Sequence, residues 1–224
     1  MLTVTLNETQ VTGSPGMTIL ELARAHGVDI PTLCHHPALS PFGGCRLCLV
    51  EIQGSRTLVA ACHTPIAPSM VIAAHSPKVL KARQMVLELL FASHSGFCWN
   101  CDKANLCELR QVAAALGMGL PSIELPKPYY AIEDAGPSVV RDLTKCIQCR
   151  RCVRACRELK GAGILAVAYR GFATKIIAGQ DRPLAEAICA DCDVCVSVCP
   201  VGALTKAADR FAVSKSGRPL IVTG

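Results

Sequence analysis

The first 30 residues alternate between apolar and polar positions and then change to a helical spacing. Leu2–Leu6 places apolar side chains at every second position, which is typical of a strand with one buried face, and a return strand is expected near Val11. Thr18, followed three residues later by Glu21, forms a capping box that predicts an apolar helix ending near His26. This segment therefore predicts the order strand, strand, helix.

A second region has helical spacing throughout. Ser76-Pro77 is typical of a helix N-cap followed by proline at the first helical position, and apolar residues continue at intervals of three and four to Phe91. A further helix is predicted over residues 105–116, since Gly117 suits its C-terminal end.

Beyond these helices the apolar residues no longer recur at regular intervals. Residues 121–137 contain four prolines, which favours an ordered linker over a helix or strand. The patterns predict an α+β domain over residues 1–75, a helical domain over 76–120, a linker over 121–140, a cysteine-rich domain over 141–210 and a tail over 211–224.

Composition changes this picture in one respect, the cysteine content. The 224 residues are 51% hydrophobic but only 4% aromatic, and 15 of them are Cys. No apolar run approaches 18 residues, so no membrane span is expected, and the first residues lack the basic and apolar stretches of a secretory signal. We therefore expect a cytoplasmic protein, whose cysteines bind metal rather than form disulfides.

The formal charge of +6 gives little support to a nucleic-acid partner. The chain lacks the basic stripes interleaved with aromatic residues that nucleic-acid surfaces show. The sum also counts every cysteine as a neutral thiol. If the cysteines hold iron–sulfur clusters, the bound groups contribute about −7, which leaves the loaded protein close to neutral.

The fifteen cysteines fall into four groups by spacing. The first reads C-x10-C-x2-C-x13-C, the second C-x2-C-x5-C, and the third and fourth both read C-x2-C-x2-C-x3-C. The groups are Cys34, Cys45, Cys48 and Cys62; Cys98, Cys101 and Cys107; Cys146, Cys149, Cys152 and Cys156; and Cys189, Cys192, Cys195 and Cys199. No cysteine is left over, and the second group lacks a fourth ligand.

The third and fourth groups match the cysteine run of bacterial two-cluster ferredoxins, and Pro200 follows the last cysteine as in that run. Because the fourth cysteine of each run ordinarily binds the other cluster, the runs are expected to exchange it. The predicted 4Fe-4S ligand sets are Cys146, Cys149, Cys152 and Cys199, and Cys156, Cys189, Cys192 and Cys195. Structural zinc is the alternative, but zinc sites use pairs of C-x2-C and need no exchanged ligand.

The first group lies in a context that favours a 2Fe-2S cluster. Plant-type ferredoxins use C-x4-C-x2-C, and the first gap here is longer, but Gly43-Gly44 allows the backbone to approach a cluster beside Cys45. Strand-like segments over residues 49–52 and 58–61 lead to Cys62, and this order of elements resembles a ferredoxin-type β-grasp domain.

A Rieske centre, in which two histidines replace two cysteines, is the alternative at this site. The histidines beside the thiols are His35, His36 and His63. Rieske loops use C-x-H and C-x2-H, however, and Pro65 occupies the place of the second histidine. Four cysteines already complete a site, so the three histidines are interpreted as polar neighbours.

The group of three cysteines has three nearby candidates for a fourth ligand: His94, Asp102 and Glu108. A neutral imidazole is the nitrogen donor best suited to iron beside thiolates, although a single histidine near cysteines is more often a bystander. The residues alone leave this choice open.

The chain as a whole resembles a module at the N-terminus of the large iron–sulfur subunit of respiratory complex I and of several FeFe-hydrogenases. The same module forms the small diaphorase subunit of NAD-linked NiFe-hydrogenases and related subunits of NAD-dependent formate dehydrogenases. The resemblance covers about residues 1–205 and is carried by Pro31-Thr-Leu-Cys34, Cys45-Arg-Leu-Cys48, His94-x3-Cys98-x2-Cys101-x5-Cys107 and Arg141-Asp-Leu-Thr-Lys-Cys146-Ile-Gln-Cys149-Arg-Arg-Cys152-Val-Arg-Ala-Cys156.

This resemblance implies that His94, Cys98, Cys101 and Cys107 bind a third 4Fe-4S cluster, since the family uses the histidine of that motif as a ligand. It also implies an α+β protein with a β-grasp 2Fe-2S domain, a small helical His/Cys3 domain and a two-cluster ferredoxin-like domain. Complex I subunits and FeFe-hydrogenases continue into further domains, whereas this sequence ends at Gly224, so the small-subunit relatives are the expected match. Arg150 departs from the family, where many relatives have a small residue.

The sequence predicts a relay of electrons rather than a catalytic centre. It contains no G-x-G-x-x-G turn after a strand and no P-loop, so nucleotide binding is not expected. The resemblance implies a hetero-oligomer with an FMN-containing NAD(P)-reactive subunit and a hydrogenase or formate dehydrogenase catalytic subunit. A free ferredoxin-like carrier is the alternative, and a structural zinc protein is a third possibility.

Charges near the two C-terminal runs suggest an order of reduction potentials. Basic residues crowd the first run, and acidic residues flank the second cysteine of the other. The residues are Lys145, Arg150, Arg151, Arg154 and Arg157 at the first run, and Asp191 and Asp193 at the second. Positive charge stabilises a reduced cluster, so the Cys146 cluster is expected to have the higher potential, unless solvent screens these charges.

Overall fold

The structure is a computed structural model that describes residues 1–94, 98, 101–119, 121–123, 125, 129–134, 138–189 and 191–207. It divides into two compact units, one of Met1–Ala92 with Gln111–Glu124, the other of Ser93–Arg110 with Leu125–Gly224. Residues predicted as a separate helical domain, 76–120, therefore contribute to both units, and the functional domain boundaries stay a prediction. The predicted tail, 211–224, lies outside the described residues.

The first unit is built on a five-stranded sheet. Its strands are β1 (Leu2–Leu6), β2 (Thr9–Gly13), β3 (Leu49–Ile52), β4 (Val59–Ala60) and β5 (Val71–Ala73). Their order across the sheet is β2-β1-β5-β3-β4, with β1 and β5 parallel and the other pairs antiparallel. The predicted strands are present, whereas β5, which joins the two halves of the sheet, was not predicted.

Helix α1 (Ile19–Ala25) begins as the sequence predicts. Thr18 accepts a hydrogen bond from the Glu21 backbone N–H, and the Glu21 carboxylate accepts one from Thr18 N at 2.7 Å, which completes the capping box. The apolar positions of the helix pack with Val4 and Leu6 of the sheet in one buried core. Cys48 and Cys62 belong to this core, so the same packing that forms the unit also positions two of its thiols.

Helix α2 (Pro77–Ser93) also begins where predicted, and Ser76 Oγ accepts from Val79 N at 3.3 Å. The prediction for residues 105–116 is only partly correct. A short 3-10 turn over Ala104–Leu106 comes first, Cys107 is extended, and α3 (Glu108–Ala115) begins after it. Gly117, with φ +60°, ends this segment as expected.

Among its described residues, the second unit contains two small antiparallel pairs of strands and, besides the start of α3, two further α-helices. The elements are β6 (Val139–Arg141), α4 (Arg151–Glu158), β7 (Leu165–Ala168), β8 (Lys175–Ala178), α5 (Val194–Ser197) and β9 (Leu204–Lys206). Strand β6 pairs with β9, and β7 pairs with β8. The β7–β8 hairpin lies between the two cysteine runs in the sequence and was not predicted.

The end of the predicted linker is tied to the second unit. Glu133 and Arg141 exchange two backbone hydrogen bonds, of 2.8 and 2.9 Å, so residue 133 extends the β6–β9 pair by one bridge. Among the helices that the structure describes, none has the length and apolarity that a membrane crossing requires.

Candidate iron–sulfur sites

The four N-terminal cysteines converge in the first unit. Cys34, Cys48 and Cys62 are buried and Cys45 is half-buried. The sulfur atoms of Cys48 and Cys62 lie 3.3 Å apart, and the Cys45 backbone N–H donates to Cys34 Sγ over 3.5 Å. The structure therefore brings together the four cysteines that the sequence predicts to form one site.

Contacts among these sulfur atoms divide the protons between them. Hydrogen bonding with Cys45 and Cys62 lowers the pKa of Cys34 to about 2, and hydrogen bonding with Cys62 lowers the pKa of Cys48 to about 7. The same contacts raise the pKa of Cys45 and of Cys62. Thiolates are the form that binds iron, so the lowered pKa values of Cys34 and Cys48 favour the ligand form at these two positions.

The loop before Cys45 needs its glycines. A Cβ atom at Gly44 would collide with the Phe42 ring, and Gly43 has φ +68°. Glycine is therefore required by the conformation of the loop itself, and the predicted close approach of backbone to a cluster stays a prediction.

The neighbouring histidines make other contacts. His35 Nδ1 lies 3.3 Å from Arg24 Nη1, which can only donate, and His36 Nδ1 accepts from the Ala38 N–H at 3.3 Å. These contacts favour the interpretation of both rings as polar neighbours rather than Rieske ligands.

In the second unit, four cysteines surround one cavity. They are Cys146, Cys149 and Cys152 of the first run and Cys199 of the second. The remaining wall includes Leu143, Ile147, Leu165, Ile176, Val201 and Leu204. Among the described residues, no three Cys, His, Asp or Glu side chains lie close enough to hold a single ion. Sulfur atoms spread around a largely apolar cavity suit a group of several atoms, and Cys199 of the second run lines this cavity together with the three cysteines of the first.

Burial opposes thiolate formation at this cavity. It raises the pKa of Cys146 to about 11 and that of Cys149 to about 12, and it raises the pKa of Cys152 well above its ordinary value. The Gln148 backbone N–H donates to Cys146 Sγ at 3.4 Å and offsets part of this cost. Deprotonation of the set would therefore need a compensating positive charge, such as a bound metal supplies.

The other predicted set is grouped around Cys195. Burial raises the pKa of this thiol to about 12, and the charges of Cys189 and Cys192, and more weakly of Cys156, act in the same direction. Cys189 is exposed, whereas the other three are half-buried. The electrostatic neighbours of Cys195 are thus the three partners that the sequence predicts.

The two cysteine runs share a backbone conformation. The residues on either side of the second cysteine are left-handed in both runs: Gln148 and Arg150 have φ 54° and 58°, and Asp191 and Asp193 have φ 49° and 56°. Each such residue costs on the order of 1 kcal/mol when it is not glycine. Left-handed turns of this kind direct successive backbone N–H groups toward an anionic centre, as they do in many iron–sulfur sites. The repeated strain supports two equivalent cluster loops.

His94 is held by its other ring nitrogen. The residue is only 8% exposed, and Nδ1 lies 2.9 Å from the main-chain oxygen of Lys145, the residue before Cys146. Because a carbonyl oxygen only accepts, Nδ1 carries the proton and Nε2 of the neutral ring carries the lone pair. Metal-binding histidines are oriented by this kind of bond.

The three cysteines near His94 differ in exposure. Cys98 is exposed, Cys101 is half-buried and Cys107 is buried. Burial raises the pKa of Cys107, and the charges of Cys101 and Cys98 add to this effect. Residues 95–97, 99 and 100 of the motif lie outside the described residues.

Of the competing candidates for the fourth ligand, Glu108 is engaged elsewhere. Its two carboxylate oxygens accept from the Arg151 guanidinium at 2.7 and 2.9 Å, and Arg151 is itself buried. A carboxylate held in this bidentate pair is a poor candidate for an iron ligand. The geometry therefore favours His94 over Glu108.

Long-range contacts fix the segment that carries this group. Lys103 Nζ donates to the Cys199 main-chain oxygen at 2.7 Å, and the Glu108 N–H donates to that of Pro200 at 2.9 Å. The sequence analysis did not anticipate these contacts, because their partners are more than 90 residues away. It also missed Arg83, a fully buried cation on α2, which could have been found as the one charge in the apolar stripe that includes Val79 and Leu87.

Sequence models of three families match the chain and together span most of it. Residues 1–77 match a 2Fe-2S iron-sulfur cluster binding domain, and residues 83–120 match the iron-sulfur binding region of NADH-ubiquinone oxidoreductase-G. Residues 136–205 match the ferredoxin-like domain of NADH-quinone oxidoreductase subunit 3. The mixed helix and strand architecture thus consists of small iron–sulfur domains of the 2Fe-2S and 4Fe-4S types.

Similar proteins belong to two kinds of enzyme. The NADP-reducing hydrogenase subunit HndD of Solidesulfovibrio fructosivorans is 37% identical over 92% of this chain and 36% of its own length. The mitochondrial NADH dehydrogenase [ubiquinone] iron-sulfur protein 1 of Solanum tuberosum is 36% identical over 85% of this chain and 25% of its own. The chain thus spans about a third and a quarter of these relatives.

A solved structure is similar over nearly its whole length. A chain of the NAD+-reducing [NiFe]-hydrogenase in the H2-reduced state superposes with a TM-score of 0.86 at 36% identity. The match covers 92% of this chain and 88% of that one.

Proposed function

Since the chain belongs to the family of iron–sulfur electron-transfer subunits of NAD(P)-linked hydrogenases and NADH-quinone oxidoreductases, we propose that it relays electrons within such a complex. The relay runs between an FMN-containing NAD(P)-reactive subunit and the catalytic subunit of a hydrogenase or a formate dehydrogenase. The observation that carries the proposal is the cavity bounded by three cysteines of one run and the last cysteine of the other. The cytoplasmic location stays a prediction.

The proposed relay contains one 2Fe-2S and three 4Fe-4S clusters. The sets are Cys34, Cys45, Cys48 and Cys62 for the 2Fe-2S cluster, and His94, Cys98, Cys101 and Cys107; Cys146, Cys149, Cys152 and Cys199; and Cys156, Cys189, Cys192 and Cys195 for the others. The sheet order of the first unit, with a parallel β1–β5 pair and α1 against it, supports a β-grasp domain there. The paired left-handed loops support a two-cluster ferredoxin-like domain in the second unit.

When bound, iron–sulfur clusters transfer single electrons. They can therefore connect catalytic sites whose reactions transfer two electrons. The chain itself supplies ligands, insulation and charge. Burial of Cys149 and Cys152 excludes water from one ligand set, and backbone N–H groups in the left-handed loops stabilise negative charge there. Lys145 orients His94 through its carbonyl oxygen. No proton or hydride step is assigned to this chain.

Metal analysis tests the cluster content. The chain purified anaerobically is expected to hold about 14 iron and a similar number of sulfide ions per polypeptide. Zinc in place of iron, without sulfide, would establish the structural zinc protein instead. Stoichiometric co-purification with a flavoprotein would support a subunit, whereas a loaded chain that purifies alone would support the free carrier.

Single substitutions test the exchange of ligands. Cys199→Ser should perturb the cluster of the first run, and Cys156→Ser should perturb that of the second, because each residue completes the other run's set. Electron paramagnetic resonance of the two variants, compared with Cys152→Ser and Cys195→Ser, identifies which cluster changes. If Cys199→Ser instead reproduced the spectrum of Cys195→Ser, each run would hold its own cluster and the assignment would be wrong.

A further inference from the structure

Helix α2 buries a positive charge inside the first unit. Arg83 is 0% exposed and shares its buried helix face with Val79 and Leu87, at intervals of four residues. Arginine is almost never fully buried unless it is paired, because removal of a guanidinium from water costs several kcal/mol. An apolar side chain would be the ordinary occupant of this position, so the charge itself requires an explanation.

The hydrogen bonds of Arg83 account for only part of this cost. Its Nη2 donates to the Leu49 main-chain oxygen at 2.9 Å, whereas Nε and Nη1 are buried without a hydrogen-bond partner in the described part of the chain. None of the ion pairs found among the described residues includes Arg83. The guanidinium is therefore a buried cation that no carboxylate of the described residues neutralises at contact distance.

The position of this cation relates it to the N-terminal cysteines. Leu49, which accepts its hydrogen bond, directly follows Cys48, and Cys48 belongs to the buried core of the same unit. Burial lowers the pKa of Arg83, and the negative charges of Cys48 and, more weakly, Asp29 oppose that effect. The thiolate of Cys48 thus lies within electrostatic reach of the guanidinium.

We propose that Arg83 is the counter-charge of the 2Fe-2S cluster held by Cys34, Cys45, Cys48 and Cys62, and that it raises the reduction potential of that cluster. The inference rests on the proposed cluster at this site. Four thiolates give the oxidised cluster a charge of about −2, and reduction adds another negative charge. A fixed cation in a region of low dielectric stabilises the reduced form more than the oxidised form, because attraction grows with the charge on the cluster.

Redox titration of the loaded full chain, followed by electron paramagnetic resonance, tests this role. Arg83→Met removes the charge and keeps an unbranched stem, Arg83→Lys keeps the charge, and Lys81→Met removes an exposed charge from the same helix. At a fixed potential, Arg83→Met should lower the ratio of reduced to oxidised 2Fe-2S cluster at least tenfold, which corresponds to about 59 mV for a one-electron centre. Arg83→Lys should retain most of the potential, and Lys81→Met should not change it.

The outcomes distinguish an error in the proposed role of Arg83 from an error in the proposed 2Fe-2S cluster. Absence of a 2Fe-2S signal in the unsubstituted chain would overturn the proposed cluster itself. An intact signal with an unshifted potential in Arg83→Met would overturn the role of the charge. If Arg83→Met does not retain the cluster, Arg83→Gln replaces it in the titration. Should both neutral variants lose the cluster, its retention by Arg83→Lys alone would support the requirement for charge, whereas loss in all three would show that packing decides.

Discussion

The hydrogen-bond partner of His94 strengthens its interpretation as an iron ligand. In the sequence it is one of three candidates for a fourth ligand, and its resemblance to a family motif favours it. In the structure its Nδ1 proton is directed at the Lys145 carbonyl oxygen, 2.9 Å away, which leaves the lone pair on Nε2. A histidine fixed in this tautomer is prepared to bind iron through one nitrogen.

Substitution of His94 should therefore change one cluster only. We expect His94→Ala to lose or destabilise one 4Fe-4S centre, about four iron ions per chain, and His94→Cys to keep that centre with a lower potential, because a thiolate adds about one negative charge. Iron analysis and electron paramagnetic resonance measure both effects. Asp102→Asn is the control and should leave all centres intact; an unaltered spectrum in His94→Ala would transfer the role to another residue.

The charged residues beside the C-terminal cysteine runs differ in whether an opposite charge neutralises them. Arg151 is compensated by the Glu108 carboxylate, and Asp193 by Lys206 at 3.0 Å. Arg150, in contrast, lines the cavity of the Cys146 set. The predicted order of potentials stays a prediction.

At the scale of elements, one ion pair organises the second unit. Arg141 at the end of β6 donates from Nε and Nη2 to the Glu133 carboxylate at 3.0 and 2.6 Å, and from Nη1 to the Ile176 main-chain oxygen of β8. The carboxylate also accepts from the Leu184 N–H at 2.8 Å. The pair thereby joins both small sheets to the segment that precedes β6.

Removal of Glu133 should destabilise this unit. Glu133→Ala leaves the Arg141 guanidinium, with a side chain 3% exposed, without its carboxylate, at a cost on the order of 2 kcal/mol. The cost is below that of a fully buried pair because Glu133 is 28% exposed. We expect the 4Fe-4S absorbance to be lost at a lower temperature. The exposed Glu186→Ala is the control, and equal transition temperatures in the two variants would contradict a structural role for the pair.

Elements were predictable where their causes are local. The Thr18 capping box and the Ser76 cap are both present, because each is a contact between residues three positions apart. Strand β5 is only three residues long, and its place between β1 and β3 depends on partners about 20 and 65 residues away. The position of Arg83 in an apolar stripe is visible in the sequence, but its acceptor, 34 residues away, is not.

For the whole molecule, the spacing of the cysteines was the main basis for predicting which of them lie close together. The set around the cavity and the neighbours of Cys195 could be named from sequence, because the exchange of fourth ligands follows from the spacing rule. The contacts that bring the His94 segment to the C-terminal runs could not, since no local pattern encodes a partner so distant in the chain.

Cluster loading should also change the behaviour of the molecule in an electric field. The polypeptide has a formal charge of +6 with neutral thiols, and four clusters add about −7, so the loaded chain has a charge of about −1. In native electrophoresis at pH 7 the loaded protein should hardly migrate, whereas the apoprotein should move toward the cathode. Reconstitution with iron and sulfide should reverse the shift; equal mobility before and after loading would contradict the proposed number of thiolates.

The contacts of the histidine-containing segment also set an order for biosynthesis. Lys103 and Glu108 find their acceptors on Cys199 and Pro200, and the Lys103 bond spans 96 residues. His94 likewise depends on Lys145, 51 residues further along. A ribosome delivers the three cysteines of this segment long before it delivers those acceptors. The contacts that hold the proposed ligand segment in place can therefore form only after the last cysteine run has been synthesised.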